Sequence, residues 1–187
     1  TVKCRIGVDE HDSYAQLKQF IETVAAAGCD RFIIHARKAW LSGLSPKQNR
    51  EIPPLCYEVV WRIKQDFPQL TIIINGGIKT LAHIQEQLPY VDGVMIGREA
   101  YANPFFLAEI QNHFWGNGAT SRAQVIERLL PYIEQELKTQ TKLSNITRHI
   151  LGLFHGQPGA AAWRRTISES AHLPGMDGVL LQRALAK

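Results

Sequence analysis

Over the first hundred residues, apolar positions alternate between two kinds of spacing. Short runs rich in β-branched residues, "TVKCRIGV", "RFIIHAR", "LTIIINGGI" and "DGVMIGRE", predict strands. Between them the apolar residues recur at helical spacing. In "DSYAQLKQFIETVAAAG", Leu17, Phe20, Ile21 and Val24 share one face, with Ser13 as the cap and Gly28 as the stop. "LCYEVVWRIKQDFP" predicts a helix stopped by Pro68, and Thr80 opens "LAHIQEQL". In "PFFLAEIQNHFW", Asn103 is expected at the cap and Pro104 in the first turn. Strands alternating with helices predict an α/β fold with a parallel sheet and right-handed crossovers.

After Gly116-Asn117-Gly118 the strand signals stop. Ser121 and Gln124 form a capping-box pattern for "RAQVIERLLPYIEQELKTQ", with a kink expected at Pro131. "NITRHILGLFHG", capped by Asn145, "PGAAAWRRTISESA" and "DGVLLQRALAK" follow as further helices. The expected organisation is an α/β part over 1–117 and a small all-helical domain over 118–187.

Composition narrows the classes. The chain has 187 residues, 45% of them hydrophobic, enough to bury a real core. No apolar run approaches the roughly 18 residues that span a bilayer, and no charged-then-apolar leader is visible, so no membrane partner and a cytoplasmic location are expected. Cys4, Cys29 and Cys56 have no C-x-x-C spacing, which points to no disulfide framework and no metal site. The chain opens on Thr1 already in a strand pattern and is expected to be a piece of something longer. Residues 1–117 carry 12 Lys+Arg against 12 Asp+Glu, whereas 118–187 carry 9 against 5. The basic excess of the helical part suits a polyanionic partner and also an ordinary solvated surface.

In parallel α/β proteins, functional groups gather at the carboxyl ends of strands. Those ends hold Lys3 and Arg5, His35 and Arg37, Asn75-Gly76-Gly77, and Gly97-Arg98. Glycines permit close backbone approach, and Arg98 with nearby helix N-termini would favour a phosphate. A Gly-Gly pair alone is also a simple tight turn, and a histidine on an apolar strand is also a core residue. Lys3, between Val2 and Cys4 on a strand expected to be buried, must find an anion or an electron-rich ring. The set as a whole favours a phosphorylated ligand. The loop "KAWLSGLSPKQNREIPP" is long and aperiodic, and it places Lys47, Asn49 and Arg50 beside Trp40. Basic and aromatic groups together suit RNA; a solvated lid would have the same composition.

"TVKCRIGVD", "FIIHARKAWLSGLSPKQNREIPPL", "INGGI" and "DGVMIGREAYANP", in this order, resemble the tRNA-dihydrouridine synthases. "RHILGLFHGQPGAAAWRRTISE" resembles their A-type branch, which acts on uridines 20 and 20a of the tRNA D-loop. The resemblance covers essentially the whole chain. It implies the C-terminal half, strands five to eight, of an FMN-binding (β/α)8 TIM barrel, followed by a helical tRNA-binding domain. By position it makes Lys3 and His35 flavin contacts and gives the FMN phosphate to Asn75, Gly76, Gly77, Gly97 and Arg98. Lys47 and Arg50 would contact the tRNA near the flipped uridine, and Arg164 would contact it from the helical domain. The implied chemistry is flavin-dependent reduction of uridine to 5,6-dihydrouridine with NADPH, by a protein expected to be a monomer.

Two departures accompany the resemblance. The family's proton-donating cysteine lies on a loop after the fourth strand, outside this sequence, so no catalytic residue is assigned and the chain alone is expected to be inactive. Ala161 stands where the A-type pattern has an arginine. Two other functions suit the same strand-end residues: another phosphate-binding barrel enzyme, such as an isomerase or aldolase, and a non-catalytic RNA-binding module.

Overall fold

The computed structural model describes residues 1–116 and 120–186. It contains two compact units, Thr1–Gly97 and Arg98–Lys187. The boundary expected between Asn117 and Gly118 lies outside the described residues; contacts divide the chain earlier, after Gly97.

In the first unit four parallel strands, β1 (Val2–Arg5), β2 (Arg31–His35), β3 (Thr71–Asn75) and β4 (Gly93–Met95), pair in the order β1-β2-β3-β4. Helices α1 (Tyr14–Ala26), α2 (Tyr57–Asp66) and α3 (Leu81–Gln87) connect them. Ser13 caps α1 in a reciprocal box with Gln16, and Thr80 Oγ1 accepts the His83 N–H at 3.1 Å, so both starts expected from the sequence form.

Side chains alternate across a strand, and the register makes rows of them. Phe32, Ile34, Ile72 and Ile74 are fully buried, in one core with Ile21 of α1 and Val60 and Ile63 of α2. The rows of the other face are Lys3–Ile33–Ile73–Gly93 and Arg5–His35–Asn75–Met95. In the first of these Lys3 is exposed and the other three are only half-buried. Phe20, expected on the buried stripe of α1, is 43% exposed. It lies toward the edge strand β1, where no neighbouring strand among the described residues covers it.

The last strand is shorter than its sequence suggests. β4 stops at Met95, and Arg98 opens a one-turn helix, α4 (Arg98–Ala102), that the apolar pattern did not reveal. Phe105, and not Asn103, takes the cap position of α5 (Phe106–Trp115), and the Asn103 main-chain carbonyl accepts the Phe106 N–H at 3.1 Å.

The second unit continues with α6 (Arg122–Leu137), α7 (Leu143–Thr147), α8 (Ala160–Ser170) and α9 (Val179–Leu185). Ser121 and Gln124 form the predicted capping box, and α6 runs on through Pro131. Asn145 lies inside α7 and does not cap it, because that helix starts two residues earlier. Trp163 is the centre of this core: it is 2% exposed, its Nε1 donates to the Ile150 carbonyl at 3.2 Å, and its ring packs 4.8 Å from that of Phe154. Arg122 lays its guanidinium 3.8 Å over the Phe105 ring and donates to the Leu153 carbonyl.

Candidate functional site

The carboxyl ends of β1, β2 and β3 open onto a cleft of about 750 Å3. Lys3, Arg5, His11, Gln16, His35, Arg50 and Asn75 supply its polar lining, and Leu17 and Phe20 of α1 an apolar wall. Among the described residues no carboxylate lines it. Three cations facing one volume without an acid favour an anion there.

Each polar group is held by a different device. Lys3 reaches across β2, and its Nζ donates to Asn75 Oδ1 at 3.1 Å. Asn75 Nδ2 donates to the Met95 carbonyl at 2.9 Å, so its oxygen must point toward the lysine. The partner of Lys3 is thus a neutral amide. Although the residue is exposed overall, partial desolvation at the cleft and then the nearby Arg5 charge hold the Lys3 ammonium below its usual pKa. Arg5 is likewise lowered, by burial first and then by Arg50 and Arg37. His35 is 8% exposed and stands in the same row as Arg5 and Asn75.

Gly76 and Gly77 follow Asn75 at φ +125° and +70°. A Cβ at Gly76 would come within 2.8 Å of Leu55 Cδ2 and 2.9 Å of the His35 ring; one at Gly77 would lie 2.7 Å from Leu55 Cδ1. Glycine is therefore demanded here by backbone conformation and by packing within the protein. Tyr57, at the start of α2, donates to the Gly76 carbonyl at 2.8 Å and fixes the turn. Around Gly97 there is more room, the nearest atom to an added Cβ being Asn75 Nδ2 at 4.0 Å.

The long loop is folded. Arg5 Nη1 donates to the carbonyls of Lys38 (2.9 Å) and Asn49 (3.0 Å), and Arg37 Nη1 donates to those of Glu51 and Pro53. A turn of 3-10 helix, Gln48–Arg50, brings Arg50 to the cleft. Lys47 precedes that turn, exposed and outside the cleft lining.

The structure therefore gathers Lys3, His35, Asn75 and Arg50 in one cleft, with Gly76 and Gly77 directly following Asn75. Arg98 and Arg164 belong to the second unit, Arg98 as the first residue of α4 and Arg164 exposed on α8. The sequence did not reveal the supporting roles of Arg5, Tyr57 and Asn49. The Lys3-x-Arg5 spacing puts both cations on one face and was the one available signal. Cys4 lies in β1, its thiol pushed up to about 11 by burial.

A tRNA-dihydrouridine(20/20a) synthase of Vibrio cholerae is 57% identical over 190 residues, covering 100% of this chain and 58% of the relative. Proteins of the same name from Yersinia pestis and a Synechocystis species are 56% and 55% identical, the chain covering 55% and 56% of their lengths. The chain spans a little over half the length of the curated relatives it matches. The family model described as dihydrouridine synthase (Dus) matches residues 1–186. The chain belongs to the dihydrouridine synthase family.

Proposed function

We propose that the chain is the C-terminal part of an A-type tRNA-dihydrouridine synthase, which reduces uridine to 5,6-dihydrouridine at positions 20 and 20a of tRNA. The observation that carries this is the cationic, acid-free cleft at the ends of consecutive parallel strands. In this proposal β1 to β4 are strands five to eight of a (β/α)8 barrel, and the helical unit binds tRNA. Sequential pairing supports a barrel arc, since doubly wound sheets reverse their strand order.

FMN suits the donor set: the cleft has the volume of a ligand site, two cations on one sheet face and no carboxylate to oppose a phosphate or an anionic ring. Lys3 and His35 would contact the flavin, and Asn75, Gly76, Gly77, Gly97 and Arg98 would hold its phosphate. When bound, FMN supplies the two-electron reduction of the uracil C5–C6 bond, with NADPH as the source of electrons. The work of this chain is to bind and orient. Lys3, held by Asn75, would offer positive charge to a bound flavin, stabilising negative charge on its reduced form. The rigid Gly76–Gly77 turn presents backbone at the end of β3. Lys47 and Arg50 contact tRNA from the loop and Arg164 from α8. No residue here is assigned as the general acid, and the Cys4 thiol, raised by burial, is a poor proton donor.

The test is expression, in cells lacking their own tRNA-dihydrouridine(20/20a) synthase, of the 187-residue chain alone and fused behind the N-terminal segment of the Vibrio cholerae relative. The fusion is expected to be yellow and to restore dihydrouridine at positions 20 and 20a, and the chain alone to do neither. A folded fusion that carries no flavin and leaves uridine unmodified would overturn the proposal.

A further inference from the structure

Within the loop bearing Lys47 and Arg50, the Asn49 side chain bridges back to Trp40. Asn49 Nδ2 donates to the Trp40 carbonyl at 2.6 Å, and Asn49 Oδ1 accepts the Trp40 N–H at 2.8 Å. A side-chain amide thus gives Trp40 the two-bond pairing that an adjacent strand would give. The main-chain carbonyl of Asn49 meanwhile accepts from Arg5, whose same nitrogen also donates to Lys38. The next residue is Arg50, in the lining of the cleft alongside Arg5.

Two guanidinium groups held near one another repel, and a long exposed arginine has many conformations in which it would lie elsewhere. Arg5 and Arg50 line the same cleft, and burial first, then the Arg50 and Arg37 charges, lower the pKa of Arg5. The ends of the ten-residue stretch from Trp40 to Asn49 are fixed by the Asn49 amide, and Arg50 directly follows that fixed point.

We infer that Asn49 is a positioning residue: by clamping Trp40 it holds Arg50 beside Arg5 as a preassembled pair for a phosphate group. In the proposed function that phosphate belongs to the RNA, and the inference rests on the cationic character of the cleft and not on the flavin. Preassembly matters because an anion that finds both cations in place need not immobilise them on binding.

The test uses the 187-residue chain and inorganic phosphate as the probe, followed through the arginine Nε–H signals in NMR spectra. In the wild type, Arg5 and Arg50 are expected to shift together along one binding curve. Asn49→Ala and Asn49→Gln are each expected to weaken binding about tenfold, as loss of preorganisation implies, with loss of exchange protection at the Trp40 amide. Arg50→Gln should weaken binding similarly, and adding Asn49→Ala to it should cost nothing more. Should Asn49→Ala fail to fold, Asn49→Gln, which keeps charge and polarity, carries the comparison. Wild-type affinity in a folded Asn49 variant, additive losses in the double variant, or no joint shift in the wild type would each overturn the inference. tRNA titrated into the same samples separates the two levels: phosphate binding without tRNA binding removes the RNA assignment and leaves the positioning role standing.

Discussion

Lys3 shows how a single residue carries a functional argument. A lysine between two apolar neighbours on a strand is expected to need an anion, and here it meets the neutral amide of Asn75, with Arg5 two residues along the same face. Its pKa is lowered by burial and then by that like charge, so the folded chain binds its proton less tightly than the unfolded chain does. The sign follows: below the lowered pKa the charged lysine opposes folding in full, and this opposition fades as pH climbs to the ordinary lysine value. Lys3→Met is therefore expected to be at least as stable as the wild type at about pH 7 and to lose that advantage by about pH 10.5. Paired thermal melts check this in a Cys4→Ser background, which removes the neighbouring thiol whose titration Lys3 itself influences. A wild type more stable than the variant at neutral pH would mean that the Asn75 contact outweighs the charge penalty. The same substitution should weaken anion binding in the cleft, the expected pattern for a residue kept for binding at the expense of stability.

At the scale of elements, what could be read in advance was local, and what could not was tertiary. The caps at Ser13, Thr80 and Ser121 were legible because a cap is satisfied within four residues of chain. Asn103 and Asn145 carry the same cap signal and are not caps, since α4 and the early start of α7 use the surrounding residues otherwise. That Lys3 and Arg5 share one face was legible because strand alternation fixes which residues share a face. The hydrogen bonds that Arg5, Asn49 and Tyr57 make were not, because their partners are main-chain carbonyls and amides of distant segments, which no side-chain pattern announces. Glycine at close packing is another such case. An added Cβ at Gly152 would sit 1.9 Å from the Ala102 carbonyl oxygen at the end of α4, with backbone on both sides of the clash. Gly76 instead meets the ends of Leu55 and His35 side chains, although its φ of +125° is costly for any other residue. Gly152→Ala is expected to cost more than about 3 kcal/mol and Gly76→Ala about 1 to 3 kcal/mol, by urea denaturation. The reverse order would show that backbone strain outweighs steric overlap in this chain.

For the molecule as a whole, the informative feature is the unequal covering of the sheet. Parallel sheets are normally buried on both faces. Here Phe32, Ile34, Ile72 and Ile74 are fully buried against helices, while Ile33 and Ile73, equally apolar and equally central, are only half-buried. β-branched residues on a partly open face have a physical explanation if that face closes on further strands, as the proposed barrel requires, and the lengths of the relatives leave room for them. The energetic consequence is specific to one face. In the chain alone, Ile34→Ala should cost about 3 kcal/mol, because it leaves a cavity in a filled core. Ile33→Ala should cost less than about 1.5 kcal/mol, because much of the removed surface already meets water. In the fusion with the Vibrio cholerae N-terminal segment, the cost of Ile33→Ala should rise toward that of Ile34→Ala, since the same side chain then becomes an interior one. Denaturant titration of the chain, its two variants, the fusion and the fusion's Ile33→Ala variant measures these differences. If Ile33→Ala costs the same in chain and fusion, the open face does not close on the added segment, and β1 to β4 are not an arc of a barrel.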